Sequence, residues 1–341
     1  MTRVNWRASA LALVTAIILA VGMLALASPE PAEALRAFFI SPLSQTYAAG
    51  NMLNVASLLV LTALGVTVAF RGGTFNLGGE GQLYTSALVT TVALLALPDL
   101  GGVVGILYAC VVGAGTGALI AGLSGLLKAS WDTDELITSF LLSSGLIPIV
   151  DYLIVGPLRN TERSLLATRE IAGQFHLPYL MPPSHLNLTA LVSLLAAVTL
   201  HLLIYRTLFG YELRMNGLNR SFARYGGVRV GAYTTSAMAI SGAFHGLAGA
   251  LLVLGTYHAS IAGFSGSLGW NGIAVALIGR TQPLLIIPGA LIFAYLDAGA
   301  RSAMFETAFT FELGMVVQAV IFFLVTAEIG RHVLRSARGQ E

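Results

Sequence analysis

The sequence predicts an all-α fold, a polytopic transmembrane helical bundle of about ten spans arranged as two inverted, pseudo-symmetric halves. Three observations carry this expectation. Of 341 residues, 56% are drawn from Ala, Val, Ile, Leu, Met, Phe, Trp, Tyr and Cys, and only 10% are charged, against about 25% in a soluble domain. Mean hydropathy is +0.81, and a soluble chain of this size could not cover so much apolar surface with polar groups. Finally, 38 glycines are spread among long aliphatic runs. Small residues let helix backbones approach closely in lipid.

A span needs roughly 20 apolar residues, and runs of that kind fall at 8–28, 50–70, 81–98, 103–127, 136–157, 186–205, 231–254, 267–279, 283–297 and 311–328. The first follows Arg3 and Arg7 and ends near Ala25-Leu26-Ala27, a pattern shared with cleaved signal peptides. Its length and the spans behind it favour a retained helix. The eighth run is short and approached through Gly263, Gly266 and Gly269, and Pro288-Gly289 punctuates the ninth. Both suit broken or re-entrant segments around a cavity. The single chain divides into a first half of about 1–157, a periplasmic loop 158–184, a second half of about 186–330, and a cytoplasmic loop 206–230 within that second half.

Charge sets the topology. With both termini cytoplasmic, 13 of the 18 basic residues lie inside, and Arg36, Arg159, Arg163, Arg169 and Arg301 lie outside. Loop 158–184 carries Arg159, Glu162, Arg163, Arg169, Glu170 and three prolines, and is expected to project on the side where solute arrives. Loop 206–230 holds five Arg and one Glu. Its middle is expected to form a short helix stopped by Gly226-Gly227, so it is long enough to dock a partner as well as to signal topology. No basic tract of nucleic-acid type is present. Cys110 is the lone cysteine, expected as a small buried hydrophobe.

The polar residues within the bundle are the candidate site. Asn76, Glu80 and Gln82 flank the start of the third span. A carboxylate there is costly unless it faces water or a partner. These three either line a translocation pathway or brace the bend, with Arg71 as a candidate ion partner for Glu80. In the second half, Asn271 needs a partner or a cavity, and Trp270 beside it could stack on a planar solute or anchor an interface. His245, between Gly242 and Gly246, is expected to hydrogen-bond within a tight helix crossing. Asp132, Asp134 and Glu135 lie near Lys128 and are expected to cap the fifth span, while Asp297 and Glu312 are expected to be solvated. The chain has no GxxxxGK[ST] loop and no clustered metal ligands or catalytic group. An enzyme is therefore disfavoured, and so is an ion-coupled carrier, because no second central acid is evident beside Glu80. A non-transporting scaffold is a further alternative.

Four stretches then carry a resemblance: "LTALGVTVAFRGGTFNLGGEGQL", "GLLKASWDTDELITSFLLSS", "YELRMNGLNRSFARYGGVRVG" and "NGIAVALIGRTQPL". Over roughly residues 48–330 the chain resembles the branched-chain amino acid, ribose and nucleoside permease family of ABC importers. "FNLGGEGQ" and "GIAVALIGRTQP" are most similar to its nucleoside-type, or simple sugar/nucleoside, branch. The resemblance implies a multi-pass permease of the bacterial inner (cytoplasmic) membrane that imports a nucleoside by alternating access, with simple sugars or riboflavin as alternatives. It implies no catalytic residue and no cofactor in this chain, with ATP and Mg held by a partner ABC ATPase, in this branch often two fused ATP-binding domains. Further implied partners are a second related permease or a second copy, a substrate-binding lipoprotein or periplasmic protein, and membrane lipid. Arg214, Gly217, Asn219, Ala223, Tyr225 and Gly227 match the family's ATPase-coupling loop, and Asn76, Gly79, Glu80, Gly81 and Gln82 match its first-half motif. The loop departs from the pattern at Met215, Asn216, Arg220 and Phe222. Phe140-Leu141-Leu142-Ser143 replaces a Met-Leu-Asn-Tyr run, which leaves the solute open.

Overall fold

A computed structural model describes residue 22 and residues 30–162 and 164–306. The predicted spans 8–28 and 311–328, with Arg3, Arg7, Arg163, Glu312 and the C-terminal arginines, lie outside the described residues. Described residues form an all-α bundle in two compact units, one made of residues 30–52 and 291–306 and the other of 53–290. Among the described residues five helices are long and apolar enough to cross a membrane: Thr46–Arg71, Gly102–Trp131, Glu135–Val155, Thr189–Arg206 and Val230–Tyr257.

In the first unit, α1 (Pro31–Phe39) and α2 (Ser41–Ser44) precede the start of α3 (Thr46–Arg71). They pack on the end of α12 (Ile286–Glu306): the Tyr295 hydroxyl donates to the Phe39 carbonyl at 2.7 Å, and Ser41 donates to the Glu306 carboxylate. Asp297 pairs with Arg301 one turn on, at 2.9 Å. The break expected at Pro288-Gly289 does not occur, because α12 begins only at Ile286, which puts Pro288 in the first turn, where a helix tolerates proline.

The second unit contains α4 (Gly79–Ala96), α5 (Gly102–Trp131), α6 (Glu135–Val155), α7 (Thr189–Arg206), α8 (Leu208–Leu218), α9 (Arg220–Tyr225), α10 (Val230–Leu252) and α11 (Leu268–Ile278). The closest crossing is between α5 and α10. On α5, Gly105, Ala109, Gly113, Gly117, Ala121 and Gly125 recur every fourth residue and are buried, so they form one small-residue stripe along the helix. A Cβ at Gly117 would collide with the Gly242 carbonyl, and one at Gly246 with the Gly113 carbonyl. The Gly242/Gly246 pair therefore meets a matching set on α5, backbone to backbone. The opposite face of α5, with Val103, Leu107, Val111 and Leu119, is exposed, as a lipid-facing surface would be. Cys110 is half-buried and free.

Loop 158–184 does not project freely. Its backbone is stitched to the stretch after α10: Thr168 N donates to Ser260 O, Ile171 N to His258 O and Leu177 N to Leu254 O, each at 2.9 Å. Gln174 donates to the carbonyls of Pro98 and Leu100, and the buried Phe175 ring fills the slot left by Gly105. A π-helical turn, Val253–Tyr257, ends α10. It leaves the Gly255 carbonyl to the Asn187 side chain, which also donates to Asn54. At the rim, His176 and His258 stack with ring centroids 3.7 Å apart, and Tyr179 meets His258 at 3.0 Å. Burial pushes His258 down to about 4, with His176 adding to the effect.

Candidate functional site

The second unit holds two helices that start inside it, one of 18 residues and one of 11. α4 begins at Gly79 after the irregular stretch 74–78. α11 has 11 residues, about 16 Å at 1.5 Å per residue, too short to span the roughly 30 Å hydrocarbon layer. Their N-termini meet. The Glu80 carboxylate accepts from the Gly269 amide at 2.8 Å, and a Cβ at Gly269 would press on the Glu80 backbone. Each helix start carries about half a positive charge, and one carboxylate serves both ends.

Asn76 organises the approach to this meeting point. Its amide nitrogen donates to Gln82 Oε1 and to Ser241 Oγ, both at 2.9 Å, and its oxygen accepts from Gly78 N and Gln82 Nε2. From α6, Ser139 accepts from Leu77 N and Ser143 from Gly81 N. His245 donates through Nδ1 to the Ser241 carbonyl at 2.8 Å, and its ring fills the space left by Gly65 and Gly79. A side chain at either glycine would expel the imidazole. The expected Arg71–Glu80 pair is not what forms: Arg71 donates to the Thr281 carbonyl at 2.9 Å, at the far end of α11.

The five candidate pathway residues thus gather at one level but divide in exposure. Asn76, Glu80 and Gln82 are buried with their polar atoms engaged, whereas Trp270 and Asn271 are half-exposed. The Trp270 ring lies 6.0 Å from Phe140 of α6. Sequence reasoning also passed over Asp151, an acid inside the α6 run whose Oδ1 accepts from the Tyr84 hydroxyl. It sits one turn from the end of α6, and the same hydroxyl accepts from Gly263 N at 2.8 Å. It therefore pins the chain entering α11. Its signal was plain: one carboxylate within an apolar run.

At the opposite end from His258, loop 206–230 forms two helices where one was expected. Asn219 separates them and caps α9 by accepting from Phe222 N. Gly226 ends α9, and Gly227 has φ +84°. Ala223 is buried, and the Arg214 guanidinium lies over the Tyr205 ring at 5.2 Å. Gly217 packs on the Arg71 carbonyl and on Gly73, itself at φ +74°. Asn216 donates to Gly72 O at 2.8 Å and Arg220 to Gly73 O at 3.0 Å. Of the six candidate coupling residues Asn219, Tyr225 and Gly227 are exposed; the Asn219 side chain is spent on its cap, and the Tyr225 side chain stands clear, 93% exposed, with Leu218 at 88% and Phe222 at 64%. Nearby, Asp134 caps α6 by accepting from Leu136 N and Ile137 N. Lys128 pairs with Asp132 and Glu135, and its ammonium holds the exposed Asp132 carboxyl below its usual range. Among the described residues no group of His, Cys, Asp and Glu could hold a metal ion.

Comparison with known proteins adds to this geometry. The family model described as "Branched-chain amino acid transport system / permease component" matches residues 48–326. The chain is 31% identical over 320 residues to the probable riboflavin import permease protein RfuC of Treponema pallidum, covering 94% of this chain and 85% of that one. It is 31% identical to the guanosine ABC transporter permease protein NupP of Bacillus subtilis, over 83% of this chain and 82% of the relative. It is 30% identical to the glucose ABC transporter permease protein TsgB13 of Haloferax volcanii, over 91% and 85%.

Proposed function

Since the chain belongs to the branched-chain amino acid transport system permease family, and is a membrane permease component of an ABC-type importer, we propose that it imports a nucleoside by alternating access. In this reading the Tyr225 end is cytoplasmic, as the basic inner loops suggest, and the His258 end faces the periplasm. A substrate-binding protein delivers solute at the His258 end. A partner ATPase, which holds ATP and Mg, seats on α8 and α9, and a second permease or a second copy completes the route.

The observation that carries this reading is the Tyr225 end. Leu218, Phe222 and Tyr225 stand clear of the fold within two helical turns, among Arg220, Arg224 and Arg229. Exposed aromatics ringed by arginine are the composition of an interface core awaiting a partner. The element that presents them is bonded to the Gly72-Gly73 turn, so displacement of α8 and α9 is delivered to the chain leading into Asn76 and Glu80. Riboflavin is the second reading, favoured by the relative matched over 94% of the chain.

Affinity purification from native membranes, with identification of every stoichiometric partner, tests the assembly. An ATPase, a second permease subunit and a binding protein are expected. Recovery of the chain alone, under conditions that preserve a known importer, would sink the proposal. Uptake of labelled guanosine and riboflavin by the recovered complex then separates the two solutes.

A further inference from the structure

The first turn of α11 carries two side chains that the fold leaves unfinished. Asn271 is half-exposed, and among the described residues its side-chain amide makes no hydrogen bond, whereas Asn76 and Gln82 on the neighbouring segment spend theirs on each other. An uncompensated amide within an apolar helix is costly, so water or a solute must meet it. Trp270, its neighbour, lies 6.0 Å from Phe140 with the rings tilted at 58°. Phe140 is 41% exposed and Trp270 half-exposed, so both rings keep open surface. On α6 the neighbours Ile137 and Leu141 are exposed and apolar, and the nearest exposed hydroxyls, Ser144 and Ser267, lie a turn away from Phe140 and Asn271 along their own segments.

This combination fits one chemical class. Flat π-systems stack on aromatic side chains whatever their substituents, and an Asn amide matches an adjacent donor and acceptor on a heterocycle edge. A hexose would bring a full set of hydroxyls to two aromatic rings, one amide and at most the two flanking hydroxyls, and would leave several of them unpaired. We propose that Phe140, Trp270 and Asn271 are the selecting contact of the route, and that they take a flat heteroaromatic solute. Its ring lies against the two aromatic side chains and its polar edge meets Asn271. The proposal rests on the permease reading above and adds to it the residues that read the solute.

The test is uptake of labelled guanosine, riboflavin and glucose, measured one at a time in membranes holding the whole transporter with its own partners. The wild type is expected to carry guanosine or riboflavin. Trp270→Leu is expected to lower that uptake tenfold or more, while Trp270→Phe keeps half or more. Asn271→Ala is expected to raise KM severalfold with little change in kcat. A wild-type complex that assembles with its ATPase yet carries neither heteroaromatic overturns this proposal and leaves the importer assembly standing. So does unchanged uptake in both Trp270→Leu and Asn271→Ala. Loss of the second permease subunit from the Trp270→Leu and Trp270→Phe complexes alike overturns it too, because the face is then a subunit contact. Failure of the wild-type chain to recover any ATPase sinks both readings.

Discussion

Glu80 shows how far one side chain's surroundings decide its role. Its carboxylate lies where two helix starts converge and accepts from the Gly269 amide. Glu80→Gln keeps an acceptor and loses the charge, so thermal unfolding of the purified protein should show a loss of about 1 kcal/mol, the scale of a helix-terminus charge. Glu80→Ala also orphans the buried amide and should cost about 1–3 kcal/mol more. Equal stability of the two variants would remove the capping role. The sequence placed Glu80, Asn76 and Gln82 together but could not say that Asn76 and Gln82 satisfy each other, because that pairing depends on a bend with no periodic signature. Phe140 was invisible as a partner of Trp270 for a related reason: 130 residues separate them in sequence, and only tertiary packing joins them.

Among the elements, the α5–α10 crossing makes the sharpest prediction. Gly117 and Gly115 lie on the same helix, yet a Cβ at Gly117 would collide with the Gly242 carbonyl while one at Gly115 meets nothing within 4 Å. Gly117→Ala should cost about 1–3 kcal/mol by overpacking, and Gly115→Ala should be neutral or slightly stabilising, as folded yield in detergent would show. The fourfold spacing of small residues on α5 was legible in the sequence beside the Gly242/Gly246 pair, although only the latter was singled out. Loop 158–184, with its prolines and charges, was expected to project on the side where solute arrives. Its actual hold comes from backbone bonds and Phe175, which composition does not report. That hold depends on pH. His258 titrates near 4 when folded, against 6.5 as its ordinary value, so the unfolded form binds more protons between those limits and stability rises with pH there. Hydrogen exchange across 164–188 should therefore quicken as pH is lowered from about 6.5 towards 4, after correction for intrinsic rates. His176, His185, Glu170 and Tyr179 share this rim. His258→Asn, which suits the φ of +56° there, should flatten the profile.

For the molecule as a whole, the bundle, its long spans and the short eighth segment were legible because lipid demands apolar length. The division of labour inside the bundle was not legible, since buried and open polar residues look alike in a sequence. The attachment of α8 and α9 to the Gly72-Gly73 turn predicts that seating and coupling separate. Phe222→Ala with Tyr225→Ala should weaken ATPase recovery tenfold or more, on the scale of interface anchors. Gly73→Ala would place a Cβ 2.7 Å from Gly217 at φ +74°. It should retain the ATPase while uptake per ATP hydrolysed falls, and unchanged coupling would refute the link. The contact between Glu80 and Gly269 has a further consequence for synthesis. Its partners lie 189 residues apart, so at about 5–20 residues per second a growing chain holds Glu80 uncapped for about 10–40 s after the ribosome has made it. Throughout that interval the meeting point of the two helix starts is unmade, and a chain cut short before Gly269 never completes it.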